Sequence, residues 1–237
     1  MVNQNKSEKH LIIGAGEVGK ALFNVLKKRF NISIYDKELS KEKNVQVLHI
    51  TFPYSKNFIS NVKKYIKEYR PKLIIVHSTV PVGTTRRISL NAVHSPIRGV
   101  HPNLDKGIKT FVKYFGGKKA KLTASYFEKL GIKTKCFNKQ ETTELIKILD
   151  TAYYGWNILF NKEIKKLADK LKLDFDEIYT IPNLDYNDGY KKLRKPNVVR
   201  PVLKYMPGKI GGHCVVQNCE LLDNWITKTI KERNKKY

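Results

Sequence analysis

Three glycines set the first constraint. The run Leu11-Ile12-Ile13-Gly14-Ala15-Gly16-Glu17-Val18-Gly19 is an apolar strand that turns at once into a helix. The helix is predicted over Val18–Arg29, where Ala21, Leu22, Val25 and Leu26 recur at helical spacing. Gly14 permits the tight turn, Gly16 lets the backbone approach a pyrophosphate, and Gly19 allows helix and strand to pack closely. The helix start, from Ala15 through Glu17 and Val18, supplies N–H donors and the positive end of a dipole. Asp36 follows the second strand, Ile32–Tyr35, where its carboxylate can accept hydrogen bonds from both ribose hydroxyls. A 2′-phosphate there would meet like charge, so the pattern favours NAD over NADP, with Lys37 next door softening the exclusion.

The rest of the first half alternates short apolar runs with amphipathic stretches, as βαβ units do. Strands are predicted at His10–Ile13, Ile32–Tyr35, Val45–Thr51, Leu73–Val76, Ile97–Val100, Thr110–Phe115 and Lys133–Phe137, and helices at Asn57–Tyr69 and Lys121–Leu130. That is an α/β, doubly wound parallel sheet, a Rossmann domain over residues 1–138. The period then changes. A helix of about 141–171 (Glu141 to Leu171) runs without proline and carries Leu145, Ile148, Leu149, Ala152, Trp156, Leu159, Phe160, Ile164, Leu167, Ala168 and Leu171. At 1.5 Å per residue it spans roughly 45 Å, more than a small lobe needs internally. A smaller all-α domain is expected over 139–237, with proline-broken short helices and loops in Asp174–Lys209, the cysteine loop 207–218 and a last helix at Asn218–Lys231.

Charge and cysteines narrow the classes. The 237 residues carry 46 Lys+Arg against 21 Asp+Glu, a formal charge of +25. The lysines are spread along the whole chain, and arginine, the usual reader of bases, is scarce. This is a solvated basic surface suited to small anionic ligands such as nucleotides or sugar phosphates, and it argues against a nucleic-acid partner. No apolar run is long enough for a membrane helix, and Met1–His10 lacks the apolar core of a signal peptide. Cys136, Cys214 and Cys219 are too few and scattered for a disulfide framework or a metal site. The expectation is a cytoplasmic protein.

Two further segments carry chemistry. His77-Ser78-Thr79-Val80-Pro81-Val82-Gly83-Thr84-Thr85 lies at the carboxyl end of a buried strand, where open α/β sheets place their ligands. Ser78 and Thr79 are candidate cofactor contacts; the same segment reads equally as a strand-to-helix turn capped by threonine. Cys214 follows Gly211-Gly212-His213 and precedes a helix, an accessible position with a dipole that favours thiolate and suits a nucleophile. Cys136 and Cys219 read as core residues. His94, His101 and His213 could supply acid–base chemistry or serve as structural hydrogen-bonders.

Taken in order, Gly14–Gly19, Ser78–Thr85, the helix Glu144–Glu163 and Gly208-Lys209-Ile210-Gly211-Gly212-His213-Cys214 resemble the UDP-glucose/GDP-mannose dehydrogenase family, and its UDP-N-acetyl-hexosaminuronate-forming branch most. The resemblance implies NAD-dependent oxidation of a sugar alcohol through a cysteine thiohemiacetal and thioester. It also implies a two-domain arrangement like that of 6-phosphogluconate dehydrogenase and a homodimer formed through the long helix. Position by position, Cys214 matches the nucleophile, Lys147 the helix lysine that stabilises the oxyanion, and Thr79 the threonine that positions a water. Lys147 also reads as a solvated helix lysine. The chain departs from the pattern at Thr151, where the family has Asn, at Asn218, where it has Asp, and at His94–Gly99, where its acidic segment has no counterpart. The family's C-terminal UDP-binding domain has no counterpart either, so a truncated form is expected. With Asn218 neutral, one two-electron oxidation is a better expectation than the four-electron process. A hydroxyacid-type dehydrogenase using Lys147 alone, or a non-catalytic NAD-binding protein, are the alternatives.

Overall fold

The computed structural model describes residues 8–36, 41–212 and 214–237, so Lys37 and His213 lie outside the described residues. The first 147 residues form one unit and Ile148–Tyr237 a second. The division falls inside the long helix, where the sequence reading put the boundary at 138.

Among the described residues the first unit is built on seven strands: β1 (Lys9–Ile13), β2 (Asn31–Tyr35), β3 (Val45–Ile50), β4 (Leu73–Val76), β5 (Val93–His94), β6 (Lys113–Gly116) and β7 (Thr134–Phe137). Their order is β2-β1-β3-β4-β5-β6-β7. Helices α1 (Glu17–Leu26), α2 (Phe58–Tyr69), α3 (Thr84–Ile88), α4 (Leu104–Thr110) and α5 (Ala120–Glu128) connect them, and α6 (Gln140–Leu171) follows. The expected α/β doubly wound sheet is present. Both faces are covered, and the middle of the sheet is largely apolar: on β1, Ile12 packs with Leu22, Leu26 and Phe127, while Leu11 and Ile13 pack with Phe58 and Val62 of α2. β2 lies on one side of β1 and β3 on the other, so a crevice opens at the carboxyl ends of β1 and β3.

Three details differ from the sequence reading. The fifth strand is Val93–His94, not Ile97–Val100, and it meets β6 antiparallel through the single pair His94–Gly116. Pro96 cannot donate to a ladder, and two residues are too few to show alternation. α4 was not foreseen because Gly107 sits in it. A side chain there would strike the Gly99 Cα at 2.5 Å, so the glycine serves close packing rather than a turn. The predicted last helix, Asn218–Lys231, is two helices, α8 (Val215–Cys219) and α9 (Trp225–Asn234). Asn224 starts the second one, its side chain accepting from Thr227 N at 3.0 Å in a capping box.

In the second unit, α6 carries the core through Ala152 and Leu159, packed with Ile210, Val215, Cys219 and Ile230. Gly155 makes this approach possible, because a Cβ there would lie 2.5 Å from Val215 Cγ1. A π-helical turn at Asp176–Thr180 leads into α7 (Ile181–Lys192), where Pro182 sits in the first turn and needs no N–H. Among the described residues no helix is long and apolar enough to cross a membrane.

Candidate functional site

In the first unit the glycine turn leaves β1 at Gly14, whose φ of 112° only glycine adopts readily. A Cβ on Gly14 would meet Thr51 Oγ1 at 2.7 Å, and one on Gly19 would lie 1.8 Å from Gly14 O. These two glycines are there for packing. Gly16 differs: it is exposed, and among the described residues a Cβ on it would meet nothing within 4 Å. The open space lies at the start of α1, where unpaired N–H groups favour an anion. Asp36 stands exposed at the end of β2, its Oδ1 3.5 Å from Ala15 N. Beside β3, a cleft of about 490 Å³ is lined by Phe52, Tyr54, Asn61, Lys64 and Tyr65. Burial raises the Tyr65 hydroxyl above its usual range, helped by Tyr69 and then by the charge of Asp36. Glu17 pairs with His101 Nδ1 at 2.7 Å at the glycine turn. These groups fit a dinucleotide: open backbone for phosphate, a carboxylate for ribose hydroxyls, aromatic walls for a base.

The loop after β4 is held from several directions. Ser78 Oγ donates to Phe52 O at 2.6 Å, and Thr79 is half-buried beside it. Glu144, fully buried on α6, accepts from Gly83 N at 2.6 Å and Thr85 N at 2.8 Å. Burial raises its carboxyl above the usual range, and the bonds from Thr85 and Gly83 oppose that. His94 Nε2 donates to Ser78 O at 3.1 Å while Nδ1 faces Thr143 Oγ1 at 2.9 Å. Burial pushes the ring down to about 3, so it is neutral with both nitrogens engaged. His94 therefore holds the loop and has no nitrogen left for acid–base work. Lys147, half-buried, closes this unit, and its charge acts on His94 and Lys113.

In the second unit Cys214 is half-buried and immediately precedes α8. One turn on, Asn218 is buried and donates to Thr151 Oγ1 at 3.2 Å. A cleft of about 460 Å³ adjoins this loop, lined by Tyr154, Lys162, Leu203, Met206, Gly211 and Val215. Two residues of α6 fix its rim. Asn161 Nδ2 donates to Leu203 O at 2.7 Å, and Lys162 donates to Met206 O and, at 2.6 Å, to Gly208 O. Lys162 is 2% exposed as a residue, and its ammonium also lies 5.4 Å from the Tyr205 ring and 5.0 Å from that of Tyr237. Burial lowers its pKa.

The sequence reading missed Glu144 and Lys162, though a signal was present. Glu144, Ile148, Ala152, Gly155, Leu159 and Lys162 follow one another at intervals of four and three, so both charges fall on the buried stripe of α6.

No family model matches the chain. It is 25% identical over 173 residues to the UDP-N-acetyl-D-mannosamine dehydrogenase of Methanocaldococcus jannaschii, covering 68% of this chain and 37% of that protein. A UDP-N-acetyl-D-mannosamine dehydrogenase of Methanococcus maripaludis is 24% identical over 195 residues, 78% of this chain and 42% of the relative. The chain thus spans about two-fifths of the length of these relatives. Among solved structures, a UDP-glucose dehydrogenase from Pyrobaculum islandicum matches with a TM-score of 0.76 at 14% identity, over 100% of this chain and 70% of that one. The 3-hydroxyisobutyrate dehydrogenase of Mycobacterium tuberculosis matches with a TM-score of 0.67 at 15% identity, over 97% of this chain and 93% of that one. The chain is related to the nucleotide-sugar dehydrogenases that its motifs resemble and shares their fold.

Proposed function

We propose that this relative of the nucleotide-sugar dehydrogenases is an NAD-dependent oxidoreductase acting on a CH–OH group of a sugar or sugar-nucleotide-like substrate. The observation that carries the reading is the glycine turn: Gly14 and Gly19 are closed by packing, while Gly16 is open where a pyrophosphate would lie and Asp36 stands at the ribose position. NAD, when bound, accepts the hydride. Gly16 and the α1 N-terminus receive its phosphates, Asp36 its ribose hydroxyls, and Ser78 and Thr79 face the site from the end of β4. Lys147 supplies a cation for the oxyanion and Cys214 the nucleophile. Asn218, neutral, orients by hydrogen bonding and has no base function. The substrate is anionic, in keeping with the net charge of +25. The exposed aromatics of α6 support a homodimer, and the reading places the protein in the cytoplasm.

The test is NADH formation at 340 nm from NAD and a panel of nucleotide sugars and sugar phosphates, with calorimetric binding of NAD measured first. Absence of NAD binding ends the reading. A second reading, a hydroxyacid-type dehydrogenase using Lys147 alone, is favoured by the near end-to-end structural match with the 3-hydroxyisobutyrate enzyme. Cys214→Ser separates them: it abolishes turnover in the first and leaves it largely intact in the second.

A further inference from the structure

A row of polar groups runs across the sheet of the first unit, in the order of its strands. His10 on β1, His49 on β3 and His77 at the end of β4 lie side by side. His10 Nδ1 is 3.0 Å from His49 Nε2, and His49 Nδ1 is 3.0 Å from His77 Nε2. His77 Nδ1 is 2.7 Å from Ser95 O, just beyond β5. Lys113 on β6 reaches the same carbonyl with Nζ at 3.1 Å and Pro96 O at 3.3 Å. The rings are 5.3 Å apart at each step, close to the spacing of neighbouring strands. All three rings and Lys113 are buried. α5 covers them with Tyr126 and Phe127, and Phe30, beyond α1, stacks on His10 at 4.7 Å.

The carbonyl at one end dictates the rest. Ser95 O can only accept, so His77 Nδ1 carries a hydrogen and its Nε2 is a lone pair. His49 must then donate from Nδ1 and accept at Nε2, and His10 must donate from Nδ1. The direction ends at His10 Nε2, a buried acceptor with no partner among the described residues. Such a row can take one proton at that end and keep every ring-to-ring bond. A second proton would set two N–H groups face to face. Even the first is opposed by burial and by the charges nearby, which are cationic: Lys113 acts on His49, His77 and His94, Lys147 on His94 and Lys113, and Arg98 on Lys113. Glu8 bonds to Tyr126 and acts on that hydroxyl.

We propose that His10, His49 and His77 form a one-way hydrogen-bonded latch that holds the first unit folded only while its rings are neutral, so that this unit opens cooperatively in mild acid. Burial lowers His10 to about 4 and His94 to about 3, and places His49 and His77 well below the usual histidine range. Folded values below the unfolded one mean that the stabilisation is complete above the unfolded pKa of about 6.5 and is lost progressively as pH falls from there toward the folded values. This holds whatever reaction the protein catalyses.

Both tryptophans, Trp156 and Trp225, lie in the second unit, so urea unfolding of the full chain is followed by the NMR amide signals of β3 and β4. Near pH 6 an unfolded histidine is about three-quarters protonated, so four of them make log K for unfolding rise by about three per unit fall in pH, the slope used below. Lys113, shifted in the same sense, can only add, and Glu144, shifted up, subtracts at most one. A slope of two or more is expected, and a slope below two overturns the latch. His10→Phe keeps the stacking on Phe30 and moves the unpaired acceptor to His49 without adding one. It should fold and lower the slope by about three-quarters; an unchanged slope overturns the proposal. Should that variant not fold, long-range proton–nitrogen spectra of the wild-type histidines decide. Nδ1–H forms at His10, His49 and His77 beside an Nε2–H form at His94 are expected, and an Nε2–H form at any of the three overturns the direction.

Discussion

Asn218 donates to Thr151 Oγ1 at 3.2 Å, so two positions at which this chain departs from the pattern it resembles are bonded to each other. The Thr151 hydroxyl donates in turn to Ile148 O at 2.9 Å, which leaves its oxygen to accept from the Asn218 amide. A carboxylate at 218 would bring an acceptor where Thr151 needs a donor. The two departures therefore belong together, and reversing one alone leaves a mismatch in a buried place.

Asn218→Asp is accordingly expected to cost about 1–2 kcal/mol in urea unfolding. Adding Thr151→Asn supplies an amide donor for the new carboxylate and should recover part of the loss, with a favourable coupling of at least about 0.5 kcal/mol. Additive effects in the four-variant cycle would show that the pair does not act as a unit.

The three glycines make a sharper contrast. Gly19→Ala forces a Cβ to within 1.8 Å of Gly14 O, so α1 must lift from β1, and a loss of several kcal/mol or failure to fold is expected. Gly16→Ala meets open space at a backbone φ of −70°, so thermal stability should be unchanged within about 0.5 kcal/mol. NAD affinity should nevertheless fall at least tenfold, because the new methyl occupies the place where the phosphate meets the backbone. Calorimetry with both variants checks this, and an unchanged affinity for Gly16→Ala removes the turn from the cofactor site.

How much of this was legible follows from where each signal lies in the chain. The strand-to-helix turn at Gly14, Gly16 and Gly19, and the place of Asp36 after β2, depend on local backbone geometry, so spacing alone predicts where they stand. The strands around them showed as apolar runs because both sheet faces are covered. β5 did not, being two residues long and defined by its neighbours. The roles of Glu144 and Lys162 depend on which face of α6 is buried. The sequence reading took Leu145, Ile148, Leu149 and Ala152 together, but Leu145 and Leu149 are exposed while Ile148, Ala152 and Gly155 are enclosed. Aliphatic residues surround the helix, so periodicity could not choose between two apolar stripes. The histidine row was invisible for another reason: its members come from three strands, and only the sheet order makes them neighbours.

Lys162 anchors the rim of the second cleft without a carboxylate. Lys162→Met keeps the stem's volume but leaves Met206 O and Gly208 O without their donor, for an expected loss of about 1–3 kcal/mol. The freed rim should also speed alkylation of Cys214 by iodoacetamide, whereas Lys170→Met, at an exposed position of the same helix, should change neither quantity. Equal effects of the two substitutions would count against the anchor.

Cofactor choice rests on Asp36. NAD should bind at least tenfold more tightly than NADP, because a 2′-phosphate would face the carboxylate, and Asp36→Ala should narrow the gap mainly by weakening NAD. Equal affinities in the wild type would mean that a neighbouring cation overrides the carboxylate.

The second apolar stripe of α6 bears on assembly. Leu149, Tyr153, Trp156 and Phe160 follow one another at intervals of four, three and four, and Leu167 lies a further seven residues on. All are exposed, Tyr153 by 63% and Phe160 by 55%. Heptad spacing of this kind forms a seam that a second helix can cover, and a two-fold axis through it lets two copies cover each other. Trp156 and Phe160 meet Trp225 and Tyr179 on one side only, and an apolar row left this exposed over several turns is costly in water. The protein at tens of micromolar should therefore scatter light as twice the chain mass. Tyr153→Asp combined with Phe160→Asp sets like charges against one another across the axis and should give the single-chain mass with the circular dichroism of the fold retained. A wild-type protein that is already monomeric would rule the helix pair out.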